Sequence, residues 1–199
     1  LSAVTQKGSG HALRQRLRII GGAWRGRRID FPARPELRPT PDRVRETLFN
    51  WLQGMIEGSR CLDLFAGSGA LGFEAASRGA KSVVMVDTDP QVVNRLRTQA
   101  NTFGAAQIEV VMADAQAYLA SSPSPFDIVF LDPPFGTDLL APICHALNDH
   151  GALKSGARIY LETLAAAGVP AIPATWELLK SQTAGQVGYH LAASIQDAA

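Results

Sequence analysis

Three observations predict an α/β fold: a mostly parallel seven-stranded sheet, helices on both faces and an N-terminal β-hairpin extension. From Arg60 to about residue 163, short apolar β-rich runs alternate with longer amphipathic ones. Such alternation gives strand–helix–strand units with parallel strands. A glycine-rich stretch, DLFAGSGALG over 63–72, joins the first of these strands to the first helix. Residues 175–195 then read as two β-segments joined near Ala184-Gly185, closing the sheet with a hairpin.

The 199 residues suit one good-sized domain, and 46% hydrophobic with 19% charged content is the composition of a soluble globular protein. No apolar run approaches the roughly 18 residues of a membrane span, and LSAVTQKGSGH lacks the pattern of a secretory signal. Cys61 and Cys144, far apart and in apolar runs, fit core thiols of a reducing cytoplasm. The four histidines have no metal-ligand spacing, so no metal is expected. The net charge of +1 hides an asymmetry. Residues 1–45 hold 11 Lys/Arg against 3 Asp/Glu, and the remainder holds 8 against 15. A basic arm on an otherwise acidic domain suggests a polyanion partner.

In order, residues 1–16 read as a disordered basic tail and 17–39 as a hairpin with a Pro-rich linker, ahead of a domain over 40–199. In LRIIGGAWRGRRID, two β-rich runs flank Gly21-Gly22, a pair that permits a tight turn. Trp24 stands among Arg18, Arg25, Arg27 and Arg28, so the hairpin offers phosphate-pairing guanidiniums and a ring that could stack on an unpaired base. The alternative is a solvated edge hairpin. Thr40 caps a helix with Pro41 at its first position, and Val44, Leu48, Trp51, Leu52 and Met55 share one face. Arg43 and Arg45 lie in its first turn, where the helix dipole disfavours cations unless an anion is near. Strands follow at 60–65, 82–87, 107–112, one ending at Asp132, and 157–163. Helices are expected at 70–78, 90–103, 115–121 and 138–149.

Gly67, Gly69 and Gly72 match G-x-G-x-x-G after a strand, and Asp87 lies 20 residues after Gly67 at the end of the next strand. The glycines alone do not separate a nicotinamide dinucleotide from S-adenosylmethionine. Asp63 ahead of the loop favours a cationic ligand over a pyrophosphate. Asp114, ending VVMADA, is placed to accept from an adenine amine while the Ala115 amide approaches the ring.

The stretch FDIVFLDPPF ends its strand on two prolines, which donate no ladder hydrogen bond and fix φ. The corner carries the Asp132 carboxylate, the Pro133 carbonyl and the Phe135 ring, stiffened by Pro134. Two acceptors beside a flat ring suit a planar group bearing an NH2. The alternative is a helix-capping Asp132 with a core Phe135.

Together RIIGGAWRGR (18–27, read with its neighbours), RPTPDRVRETLFNWL (38–52), CLDLFAGSGALGFEAASRGA (61–80), FLDPPF (130–135) and AGQVGYHL (184–191) resemble the RsmD family. These are bacterial 16S ribosomal RNA guanine-N2 methyltransferases of the Rossmann-like class I. The resemblance covers almost the whole chain. It implies methyl transfer from S-adenosylmethionine to N2 of a guanine, guanine 966, in 16S rRNA of the assembled or assembling 30S subunit, by a cytoplasmic monomer. The implied cofactor residues are Asp63, Phe65, Gly67, Ser68, Gly69, Asp87, Asp114 and Ala115. The implied catalytic residues are Asp132, Pro133, Pro134 and Phe135. The basic arm, with Arg38, Thr40 and Arg43 at its seam with the crevice, would hold RNA. Asp87 is one departure, since relatives may carry Glu there. An NAD-dependent oxidoreductase, an adenine-N6 methyltransferase, and a nucleic-acid-binding module that has lost catalysis remain open on residues alone.

Overall fold

The structure, a computed structural model, describes residues 14–32, 40–134 and 136–195. Strands β1 (Arg14–Arg18) and β2 (Arg28–Pro32) pair as an antiparallel hairpin, followed by helix α1 (Asp42–Trp51). Then come β3 (Arg60–Asp63), α2 (Ala70–Ser77), β4 (Ser82–Asp87), α3 (Pro90–Phe103), β5 (Ile108–Met112), α4 (Ala115–Ala120), β6 (Phe126–Leu131) and α5 (Leu140–Asp149). The chain closes with β7 (Leu153–Leu164), β8 (Trp176–Ala184) and β9 (Val187–Ser194). The large sheet has the order β5-β4-β3-β6-β7-β9-β8, and only β9 is antiparallel to its neighbours. The chain runs outward from β3 through β4 to β5, then returns to β6 on the other side. The crevice beyond the carboxyl ends of β3 and β6 is thus the point where this topology binds ligands.

Strand alternation divides the core. Cys61, Met85, Ile128, Phe130 and Tyr160 pack under α1, α2, α3 and the hairpin. Leu62, Val84, Val129, Leu131 and Leu161 pack under α4 and α5. The predicted helix face on α1 is buried at Val44, Leu48 and Leu52; Trp51 is half-buried, and Met55, beyond the helix end, is 40% exposed. Both cysteines are buried and free. No helix among the described residues is long and apolar enough to cross a membrane.

The predicted Gly21-Gly22 hairpin turn is corrected. The strands end at Arg18 and begin again at Arg28, so the connection spans 19–27. Gly22 has φ +76°, and a Cβ there would lie 1.9 Å from the Ser77 carbonyl oxygen. The glycine serves contact with the end of α2 rather than a two-residue turn. Ala23 donates to the Ser77 carbonyl at 2.7 Å, and Trp24 N to Ser77 Oγ at 2.9 Å. Gly22→Ala is therefore expected to lose on the order of 2 kcal/mol of stability in urea unfolding, from backbone strain and broken docking bonds. An unchanged midpoint would contradict the docking role.

Three boundaries also move. β1 begins at Arg14, inside the expected tail, and β2 runs to Pro32, inside the expected linker; the rest of tail and linker lies outside the described residues. Strand β6 ends at Leu131, one residue early, so Asp132 stands free of the ladder. β7 is twelve residues long, its start reached through Gly156 at φ +72° and a register shift against β6.

Candidate active site

The glycine turn is closed by carboxylates. Gly67 and Gly69 have φ of +48° and +78°. Asp87, at the end of β4, accepts from Gly67 N at 2.9 Å through one oxygen and from Asp89 N at 2.9 Å through the other. Asp63 accepts from Gly72 N at 2.9 Å. Gly72 permits close helix–strand packing, since a Cβ would meet Met85 Cε at 2.4 Å and Asp63 Oδ2 at 3.1 Å. Ser68 is buried in the turn and Phe65 half-buried beside it. Asp114 caps α4, accepting from Gln116 N and Ala117 N through Oδ1, with Ala115 buried behind it. Both Asp87 and Asp114 thus spend part of their accepting capacity on backbone. Each carboxylate has about four lone-pair sites, so acceptance from ribose or adenine remains open.

Asp63 is 2% exposed, so its side chain lies beneath the turn. Burial pushes its carboxyl up to about 7, against the lowering bond from Gly72, with Asp87 and Glu162 raising it further. From there it would act on a ligand cation as a field through the turn rather than by an open contact.

At the β6 corner, Asp132 is partly buried, Pro133 buried and Pro134 exposed. The Pro133 carbonyl accepts no hydrogen bond from the described residues. A free backbone acceptor beside a carboxylate fits an NH2 donor. Phe135 lies outside the described residues.

Thr40 is corrected on two counts. Its hydroxyl caps no helix; α1 starts at Asp42 without a side-chain cap. It is also 4% exposed, which removes it from an RNA-facing surface. Thr40 Oγ1 instead donates to Asp132 Oδ2 at 3.5 Å, with Glu162 nearby, so the residue that follows the Pro-rich linker reaches the corner at the end of β6. Glu162, 3% exposed on β7, accepts from Tyr160 Oη at 2.8 Å. It was missed in the sequence, although a lone glutamate in the apolar strand RIYLETL is a legible signal. The registers Asp63↔Phe130 and Leu131↔Leu161 line up Asp63, Asp132 and Glu162 across three adjacent strands. Among the described residues no lysine, arginine or histidine forms an ion pair with any of the three. No group of three or more His, Cys, Asp or Glu among them could hold a metal. A row of acids without a counter-ion fits a cationic organic ligand.

The other predicted RNA contacts divide. Arg25, Arg28 and Arg43 are exposed, and Arg28 lines a cavity of about 480 Å³ with Arg27, Asp30 and Arg95. Exposed Arg18 lends its carbonyl to Arg45 Nη2 at 2.9 Å. Arg27 lies 3.9 Å over the Phe103 ring and donates to the Thr102 carbonyl. Trp24 packs on Phe103 with centroids 5.1 Å apart. That half-buried ring thus packs against the core through Phe103. Phe103 ends α3, about 20 Å along that helix from its start by the crevice. The hairpin tip packs at the carboxyl ends of α2 and α3, the ends away from the glycine turn. Arg38 lies outside the described residues. Arg45 is fully buried beside Asp42 and Glu74, the nearby anions its place in the first turn calls for.

Residues 17–193 match a family model described as "Conserved hypothetical protein 95". Ribosomal RNA small subunit methyltransferase D of Escherichia coli strain K12 is 46% identical over 181 residues, covering 91% of each chain. Its Haemophilus influenzae counterpart of the same name is 45% identical over 180 residues, covering 88% of this chain and 92% of that one. The chain belongs to the RsmD family. Among solved structures, one titled putative methyltransferase yhhF from Escherichia coli superposes with a TM-score of 0.86 at 44% identity, over 92% of this chain and all of that one. RsmD membership makes the fold a Rossmann-like methyltransferase fold and the cofactor S-adenosylmethionine. The acid row and the glycine turn fit that cation.

Proposed function

We propose that this chain transfers a methyl group from S-adenosylmethionine to N2 of a guanine in 16S rRNA, within the small ribosomal subunit. The observation that carries the reading is the pairing of Asp132 with the Pro133 carbonyl, which no described residue satisfies, at the crevice. Bound S-adenosylmethionine would supply an electrophilic methyl on a sulfonium. Gly67, Ser68, Gly69 and Phe65 would seat it, with Asp87 on the ribose, Asp114 and the Ala115 amide at the adenine, and Asp63 below.

The chain's task is to make a poor nucleophile attack. The guanine amine's lone pair is delocalised into the ring. Two hydrogen bonds, to Asp132 and to the Pro133 carbonyl, would hold both amine hydrogens and aim the lone pair at the donor. They would also stabilise positive charge developing on nitrogen. Orientation within a near-attack distance would supply much of the rest. Pro134 keeps the corner rigid, and Phe135 would stack on the base, which must arrive unpaired or flipped out. Arg18, Arg25, Arg28, Arg38 and Arg43 would contact the RNA backbone, with affinity falling steeply as salt rises.

The test is methylation of 30S particles, and separately of free 16S rRNA, from a strain lacking the enzyme. The labelled nucleoside would be identified by mass and its position by primer extension. N2-methylguanosine at guanine 966 is the expected product. N6-methyladenosine, or NADH binding without S-adenosylmethionine binding, would overturn the reading.

A further inference from the structure

Three carboxylates crowd one end of the sheet face that lies under α1. Asp63 comes from β3, Asp132 from the end of β6, and Glu162 from β7. The groups facing Asp132 and Glu162 are Asp63, Tyr160 and the Thr40 hydroxyl, with Tyr189 of β9 acting on Tyr160. None of these is a cation. Thr40 has one hydroxyl proton and two carboxylate neighbours. Glu162 additionally receives the Tyr160 phenol at 2.8 Å, whereas Asp132 has, among the described residues, only the long contact from Thr40 at 3.5 Å. Carboxylates crowded on adjacent strands do not both ionise readily; a proton rests on the partner whose charged form receives fewer hydrogen bonds. By hydrogen-bond supply that partner is Asp132.

We propose that Glu162 is a positioning residue that keeps a proton on Asp132 in the cofactor-free protein, and that seating the S-adenosylmethionine cation drives this proton off and makes Asp132 an acceptor for the amine. The proposal rests on the methyltransferase reading of the site. Proton balance is simple: the proton on Asp132 leaves to solvent as the cofactor's positive charge enters, and no bond of the cofactor changes. The raised ionisation of Asp132, caused first by burial and then by the neighbouring Glu162 and Asp63 charges, agrees with it. The sign follows. A carboxyl protonated in the free protein and ionised in the complex makes S-adenosylmethionine bind more tightly as pH rises, by up to about tenfold per pH unit below the free protein's ionisation. S-adenosylhomocysteine has the same scaffold without the sulfonium charge, so it should drive off less of the proton.

The experiment is calorimetric titration of the full chain with each ligand, in buffers of different ionisation enthalpy, between pH 5.5 and pH 8 (roughly the window of a raised carboxyl). The expected result is release of close to one proton with S-adenosylmethionine and clearly less with S-adenosylhomocysteine. Glu162→Gln keeps the acceptor for Tyr160 but removes the charge. It should reduce the release at least twofold and flatten the pH dependence of binding. Asp132→Asn should do the same by removing the titrating group, so the test survives if one variant folds poorly. Equal release by both ligands, no release in wild type, or release that persists in both variants would overturn the proposal; the last would assign the proton to Asp63. Failure to bind S-adenosylmethionine at all would instead strike the underlying methyltransferase reading.

Discussion

Asp132→Asn is expected to lower kcat by roughly 10²–10³-fold, the size of effect seen when one preorganised transition-state partner is lost. The amide keeps the shape but presents an NH2 of its own where the guanine amine must donate. S-adenosylmethionine should still bind, within about tenfold of wild type, because the glycine turn and Asp87 are untouched. The melting temperature should not fall. Among the described residues Asp132 has only the 3.5 Å contact from Thr40, and it lies beside Glu162 and Asp63. Asparagine has the shape of the protonated carboxyl, so the change breaks no strong bond. Single-turnover methylation with saturating 30S substrate, together with calorimetric binding and thermal melting, separates these effects. Activity within tenfold of wild type would remove Asp132 from the role assigned to it.

Glu74→Ala should be the most destabilising single change outside the crevice, at about 3–5 kcal/mol. Glu74 is fully buried on α2 and ties three parts of the fold together. It accepts from Ile20 N and Gly21 N at 2.8 Å each, from Arg78 Nε at 2.7 Å, and lies 3.6 Å from Arg45 Nη1. Arg45 is itself fully buried, held otherwise by Asp42 at 2.6 Å and the Arg18 carbonyl at 2.9 Å. Alanine leaves a buried guanidinium short of its counter-charge and orphans two backbone amides. Glu74→Gln, which can still accept from the amides, should lose less. Urea unfolding gives both values, and limited proteolysis near residues 19–27 should show the hairpin released in the alanine variant. A loss under 1 kcal/mol would mean that the hairpin is held by its apolar contacts alone.

The charge pattern misled where partners were distant in sequence. The arginine-rich hairpin looked like a uniform RNA surface. Folding spends Arg27 and Trp24 on Phe103, 76 and 79 residues further along, and Arg45 on Glu74. Thr40 read as a helix cap because its local sequence permits one, yet its hydroxyl sits on Asp132. Glu162 and Glu74 each stand alone in an apolar segment, a visible irregularity whose partner no local pattern names.

What the chain declares unaided is whatever rests on neighbours a few residues apart. The alternation from β3 to β7 and the terminal hairpin follow from hydrophobic period. The glycine turn follows from positions needing positive φ or no Cβ, and the rigid DPPF corner from two prolines in a row. Helix α3 and strand β4 have the bounds expected. What only the tertiary structure decided depends on residues brought together across the fold. It set three acids side by side on adjacent strands, docked the hairpin on α2 through Gly22 and Ser77, and sorted the arm's arginines into buried, stacked and free. Sequence carries backbone preference within a few residues, whereas charge pairing and burial are settled by strand register and packing between distant segments.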